Sequence, residues 1–69
     1  MEKITIKDEY IKLGHALKLG GLVGSGVEAK MVIQNGEVMV NDNTELRRGR
    51  KLYHGDIVCY HGGTIQIEQ

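Results

Sequence analysis

The sequence contains a single cysteine, Cys59, among its 69 residues. One cysteine forms no internal disulfide, so the fold must be held together without a covalent cross-link. A domain of this length buries only about 60% of the surface that its unfolded chain exposes. We therefore expect one small domain over residues 1–69. Because Phe, Trp and Pro are absent, its core should consist of aliphatic side chains.

The charges of the chain balance, with nine Lys and Arg against nine Asp and Glu. Net charge therefore provides no general attraction to a polyanion. The distribution is less even, because Arg47, Arg48, Arg50 and Lys51 place four cations within five residues. Any surface that binds nucleic acid is expected to be local.

The hydropathy pattern argues against a membrane protein. No apolar run approaches the roughly 20 residues that span a bilayer, and Met1 is followed by charged residues and alternating Ile and Thr rather than a signal-peptide core. We expect neither secretion nor membrane insertion. A free Cys59 also suits a reducing cytoplasm.

The first third of the sequence predicts a strand and a helix. Ile4 and Ile6 alternate with polar residues, which predicts a short edge strand over residues 2–7. Asp8 can then cap a helix over residues 9–19, which should end near Gly20-Gly21. Its apolar stripe would contain Tyr10, Leu13 and Leu17, flanked by Ile11.

A second helix is predicted over residues 26–35. Ser25 and Glu28 form a capping box, in which each side chain satisfies the other residue's backbone N–H. Ala29, Val32 and Ile33 form its apolar stripe, and Gly36 follows where a left-handed residue ends many helices. Since the connection is short, the helices should pack as a helix-turn-helix-like pair.

The second half of the sequence changes to the period of strands. The predicted strand segments are 38–40, 44–46, 57–60 and a last one containing Ile65 and Ile67, separated by turns at 41–43, 55–56 and 62–63. The expected fold class is α+β, with the two helices packed on a small antiparallel sheet.

Several segments together resemble a known family, the RNA-binding domain named after ribosomal small-subunit protein four. They are Lys12-Leu13-Gly14 with Leu17, then residues 21–25, 28–30, 32–41 and 55–58, so the similarity covers about residues 11–60. The chain resembles the short stand-alone bacterial members. This resemblance implies an alpha-L RNA-binding motif that binds structured RNA, either ribosomal or transfer RNA, with the ribosome as a candidate partner. We also expect a monomer without a cofactor.

Two positions depart from the family pattern. Gly26 stands where many members have an Arg after the helix-capping Ser, and Gly14 stands where the first helix usually carries an Asp. One expected phosphate contact is therefore missing.

The candidate RNA-binding residues are polar or basic. Phosphate contacts are predicted for Arg47, Arg48, Arg50 and Lys51, for the helix residues Lys12, Lys18 and Lys30, for Ser25 at the start of the second helix, and for Asn41 to phosphate or a ribose hydroxyl. Each has a plainer alternative. The cations can be solvated charges, Ser25 only a helix cap and Asn41 only a turn residue.

Metal binding and catalysis are not expected. His54, Cys59 and His61 lie close in sequence, but a structural zinc site needs four ligands in paired spacings. His15 has no evident nucleophile or orienting carboxylate that would make it a catalytic base.

Two hypotheses for function follow. The first is an RNA-binding protein that docks on structured RNA through phosphate and ribose rather than bases, because A-form RNA hides its major-groove edges. The second is a protein-interaction module of the same fold that has lost RNA affinity, which would be consistent with the zero net charge and with Gly26.

Overall fold

The computed structural model describes residues 2–69, and within them it shows two helices and seven strands. In chain order they are β1 (Glu2–Thr5), β2 (Ile11–Lys12), α1 (Leu13–Leu19), α2 (Gly26–Gln34), β3 (Val38–Val40), β4 (Asn43–Thr44), β5 (Lys51–Leu52), β6 (Ile57–Tyr60) and β7 (Gly63–Glu68). The predicted α+β class is confirmed.

Five strands form the main sheet in the order β1-β7-β6-β3-β4, and β2 pairs with β5 in a separate two-stranded sheet. Every pair is antiparallel except β1 with β7, which run parallel. The predicted antiparallel sheet therefore needs correction at this edge. A parallel pair requires a crossover connection, and here the helices and the other strands lie between the two strands in sequence.

One face of the main sheet is apolar and buried. In β3, Val38 and Val40 are fully buried while Met39 between them is exposed, and in β7 the side chains of Ile65 and Ile67 are fully buried. These residues join the buried faces of both helices in one core, which contains Ile4, Ile6, Ile11, Leu13, Ala16, Leu17, Val23, Ala29, Val32, Ile33, Val38, Val40, Leu52, Val58, Ile65 and Ile67. The core is aliphatic, as the composition predicts.

The first helix begins later than predicted. It starts at Leu13 with Lys12 as its cap residue, and Asp8 does not cap it. Ile11 lies instead in β2, where it pairs with Leu52. Tyr10 is outside the helix too, and its ring lies 6.1 Å from the ring of Tyr53. The apolar spacing of residues 9–13 fits a helix, but pairing with β5 determines the conformation of this segment.

The second helix and the turns agree closely with the predictions. The helix covers Gly26–Gln34, and Gly36 adopts a positive φ of 77° after its C-terminus. Asn41 and Asp42 both have positive φ, as the tight hairpin between β3 and β4 requires. The predicted strand over 44–46 is shifted and lies at Asn43–Thr44. Neither helix in residues 2–69 has the length and apolar character needed to cross a membrane.

Candidate nucleic-acid interface

The basic loop, residues 47–51, is bound by its backbone to the start of α1. The N–H of Leu13 donates to the carbonyl of Arg50 at 2.8 Å, and the N–H of Gly14 donates to the carbonyl of Arg48 at 3.1 Å. The first N–H groups of a helix lack hydrogen-bond partners within the helix. Here two carbonyl groups of the basic loop accept hydrogen bonds from them. These two bonds hold the main chain of the loop beside α1.

An open groove, here called the basic groove, lies where the basic loop meets the two helices. It is lined by Lys12, Gly14, His15, Lys18, Ser25, Gly26, Val27, Lys30, Arg48 and Gly49. Five of the nine predicted RNA-binding residues are in this list. All four charged residues among them are cations, and no carboxylate side chain lines the groove within residues 2–69. The groove is therefore electropositive, although the chain has no net charge.

One cation of the basic groove and one of the basic loop are direct neighbours in the two-stranded sheet. Lys12 of β2 pairs with Lys51 of β5, and like charges directly opposite each other destabilise a strand pair. Lys51 is partly compensated, since its Nζ lies 4.8 Å from the centroid of the Tyr10 ring. A bound anion would relieve this repulsion.

The carboxylate of Glu45 holds two side chains of the basic loop. Arg47 donates to it from Nε at 3.0 Å and from a terminal nitrogen at 3.2 Å, and Arg50 donates at 2.9 Å. Glu45 is only 6% exposed. The hydrogen bonds from Arg47, and then those from Arg50, lower the pKa of Glu45 to about 2, although burial alone would raise it. The same pairing raises the pKa of Arg47.

The two arginines that pair with Glu45 differ in their exposure to solvent. The Arg47 side chain is 74% exposed and that of Arg50 is 30% exposed, so Arg47 can still reach a ligand. A shallow depression lined by Arg47, Gly49, Arg50 and Lys51 adjoins the basic groove at Gly49. The structure thus brings eight of the nine predicted residues into two adjoining concave surfaces.

Ser25 caps α2 as predicted. Its hydroxyl accepts a hydrogen bond from the N–H of Glu28 at 3.1 Å. The return bond differs from the predicted capping box, because the Glu28 carboxylate accepts from the N–H of Gly24 at 2.7 Å rather than from Ser25. The cap is structural, and the predicted contact between Ser25 and RNA stays a prediction.

Asn41 lies in neither concave surface. Its side-chain amide donates to Asp56 at 3.0 Å, and its side-chain oxygen accepts from the N–H of Ile57 at 2.9 Å. The residue therefore ties the β3–β4 turn to the start of β6. Its turn role is confirmed, and its contact with RNA stays a prediction.

The histidines and the cysteine have local partners. His61 Nε2 lies 2.8 Å from the Glu37 carboxylate, and His54 Nδ1 accepts from the N–H of Gln69 at 3.0 Å. Cys59 is in β6, as predicted, with its Sγ 3.7 Å from Thr64 Oγ1. In the part of the chain that the structure describes, no three His, Cys, Asp or Glu residues form a group that could hold a metal ion.

Some residues of the interface were not identified from the sequence. Glu45 is an isolated acid next to a basic run, and its spacing from Arg47 and Arg50 was the available signal. His15 and Val27 line the basic groove only because the two helices and the loop meet there. No local sequence pattern marks these two residues.

Comparisons with known proteins agree with this architecture. The model of the S4 domain family matches residues 4–68. The chain is 48% identical over 65 residues to "Probable ribosome maturation protein RlbA" of Bacillus subtilis, covering 93% of this chain and 92% of that protein. It is 34% identical over 61 residues to "Putative RNA-binding protein YbcJ" of Escherichia coli, covering 88% and 87%.

A solved structure has the same fold. The solution structure of YbcJ from E. coli, whose description refers to an αL motif involved in RNA binding, superposes with a TM-score of 0.77 at 31% identity and covers all of this chain and 89% of its own. The family match covers residues 4–68 and so extends beyond residues 11–60, which carry the resemblance in sequence. The chain belongs to the S4 domain family.

Proposed function

We propose that this chain binds structured RNA, with phosphates of the RNA lying in the basic groove and along the basic loop. One observation carries the proposal: among residues 2–69, cations from β2, α1, α2 and the loop line one groove and no carboxylate does. The chain as a whole has zero net charge. Such a local cluster attracts a polyanion only at this face. The relatives named for RNA binding and ribosome maturation support the same function.

The chemistry of the groove suits phosphate and ribose better than bases. The Arg48 guanidinium can donate two parallel hydrogen bonds to a phosphate, while lysines contribute as point charges. The chain has only three aromatic residues, all tyrosines, so base stacking has few platforms. We therefore expect the chain to recognise the shape of an A-form helix or of a folded RNA element rather than its base sequence.

We infer that the RNA is ribosomal or transfer RNA. The chain would act by binding and positioning this RNA, and it would not catalyse a reaction. Ribosomal RNA is the first class to test, because a relative at 48% identity carries the name of a ribosome maturation protein. This partner would place the chain in the cytoplasm as a monomer on ribosomal particles or their precursors.

The test is a titration of structured RNA fragments with two variants of equal charge change. Lys18→Gln with Lys30→Gln removes two cations of the basic groove. Lys3→Gln with Lys7→Gln removes two exposed cations that do not line it. We expect the first pair to weaken binding by about 10-fold or more and the second pair to weaken it only slightly. Equal losses in both variants would contradict a defined groove.

The alternative, a protein-interaction module, is favoured by one observation. Val27 and Met31 stand one turn apart on α2 and are 71% and 58% exposed, which provides an apolar contact outside the core. If no structured RNA bound even at low salt and crosslinking in cells recovered only proteins, this second function would replace the first.

A further inference from the structure

The Arg48 side chain passes directly over Gly14. A Cβ atom placed on Gly14 would lie 2.8 Å from Cγ and 3.4 Å from Cδ of Arg48. Carbon atoms in contact are normally separated by about 3.5–4.0 Å. The stem of Arg48 therefore occupies space that any other residue at position 14 would fill.

The backbone joins the same two residues. The N–H of Gly14 donates to the carbonyl of Arg48 at 3.1 Å, so the main chain of the loop cannot easily move away from α1 to make room for a side chain. Both residues line the basic groove. The conformation of Arg48 is thus determined by a hydrogen bond on one side and by the absence of a side chain on the other.

We infer that Gly14 is a positioning residue, which lets the Arg48 stem cross the first turn of α1 and directs its guanidinium to a phosphate in the basic groove. This inference rests on the proposed function. Alanine favours a helix over glycine, so helix stability does not explain a glycine at the second position of α1. The close passage of Arg48 does.

The experiment is a double-mutant cycle of Gly14→Ala and Arg48→Ala, read by RNA titration at several salt concentrations. Each single variant should weaken binding by about 5- to 10-fold and reduce the log-log salt slope by about one. The double variant should bind no more weakly than Arg48→Ala alone, because Gly14 acts only through Arg48. Interaction between the two sites is what such a cycle measures.

Gly24→Ala is the matched control. Gly24 does not line the basic groove, and a Cβ there would meet only Glu28 Oε1 at an ordinary contact distance of 3.5 Å, so the affinity of this variant should stay within about twofold of the parent chain. Chemical unfolding of all variants separates folding from binding. In the unmodified chain, the ¹⁵N NMR signal of Arg48 Nε should shift when RNA is added. This measurement tests the contact between Arg48 and RNA without any substitution.

The outcomes distinguish the inference from the function on which it rests. If Gly14→Ala binds like the unmodified chain while Arg48→Ala binds weakly, the inference is wrong and RNA binding stands. Additive losses in the double variant, or an unmoved Arg48 Nε signal, would also overturn it. If the unmodified chain binds no structured RNA, both the function and the inference fail.

Discussion

Glu45 is a buried acidic residue that is paired with two arginines. Its carboxylate is nearly covered and accepts hydrogen bonds from Arg47 and Arg50, so its pKa is about 2 instead of the usual 4.5. A carboxylate whose pKa is lowered by folding stabilises the folded state above its ordinary pKa. That contribution is lost as the pH falls from about 4.5 through about 2.

We predict that Glu45→Gln lowers the free energy of unfolding at pH 7 by about 1 to 3 kcal/mol. The difference from the parent chain should shrink as the pH falls from about 4.5 towards about 2, because protonation removes the same charge. Urea unfolding across this range measures it, and Glu9→Gln at an exposed position is the control. A difference independent of pH would show that the ion pair contributes little.

A second prediction at the residue scale concerns Gly26, which stands where the family resemblance leads us to expect an arginine. Open space surrounds its Cβ position, and its φ is not positive, so Gly26→Arg fits without strain. The added cation lies in the basic groove and should strengthen RNA binding by about 3- to 10-fold, with a salt slope steeper by about one. Gly26→Gln, of similar shape without charge, controls for packing. An equal increase in RNA affinity in both variants would show that the added charge does not contact RNA.

At the scale of elements, α2 supports both the core and the groove. Ile33 is fully buried on its inner face, whereas Met31 is 58% exposed. We predict that Ile33→Ala lowers the free energy of unfolding by about 2 to 4 kcal/mol by leaving a cavity, while Met31→Ala changes it by about 0.5 kcal/mol or less. Denaturant unfolding followed by circular dichroism compares them. Similar losses would mean that the buried face of α2 is misassigned.

The two helices also show which elements a sequence predicts. The bounds of α2 depend on Ser25, Glu28 and Gly36, which act within a few residues of the helix ends. The start of α1 depends on Ile11 pairing with Leu52, a contact far along the chain. Local signals therefore predicted α2 within one residue and placed the start of α1 too early.

At the scale of the whole molecule, the cations were visible in the sequence, but their convergence was not. The basic run of residues 47–51 predicts a local positive surface. That Lys12, Lys30 and Arg48 line one groove depends on how α1, α2 and β5 pack. The burial of Glu45 depends on the same packing, and it gives Arg47 and Arg48 unequal surroundings that their adjacent positions do not suggest.

The response of RNA binding to salt tests the groove as a unit. If the basic loop and one or two helix lysines meet phosphates, about 4 to 6 counterions are displaced, and the log-log slope should be roughly −3 to −5. Affinity should then fall by about 10² to 10³ between 50 and 200 mM salt. A chain of zero net charge shows such a slope only if its cations act locally.

Replacing Arg47 and Arg48 together with Ala should flatten that slope by about one to two units. Arg48 should contribute the larger part, because Glu45 already neutralises part of the charge of Arg47. Arg50 still holds Glu45 in the double variant, so the fold should persist, which circular dichroism checks. Lys3→Ala, a lost cation outside the groove, should leave the slope unchanged. An unchanged slope in the folded double variant would place the RNA surface away from the basic loop.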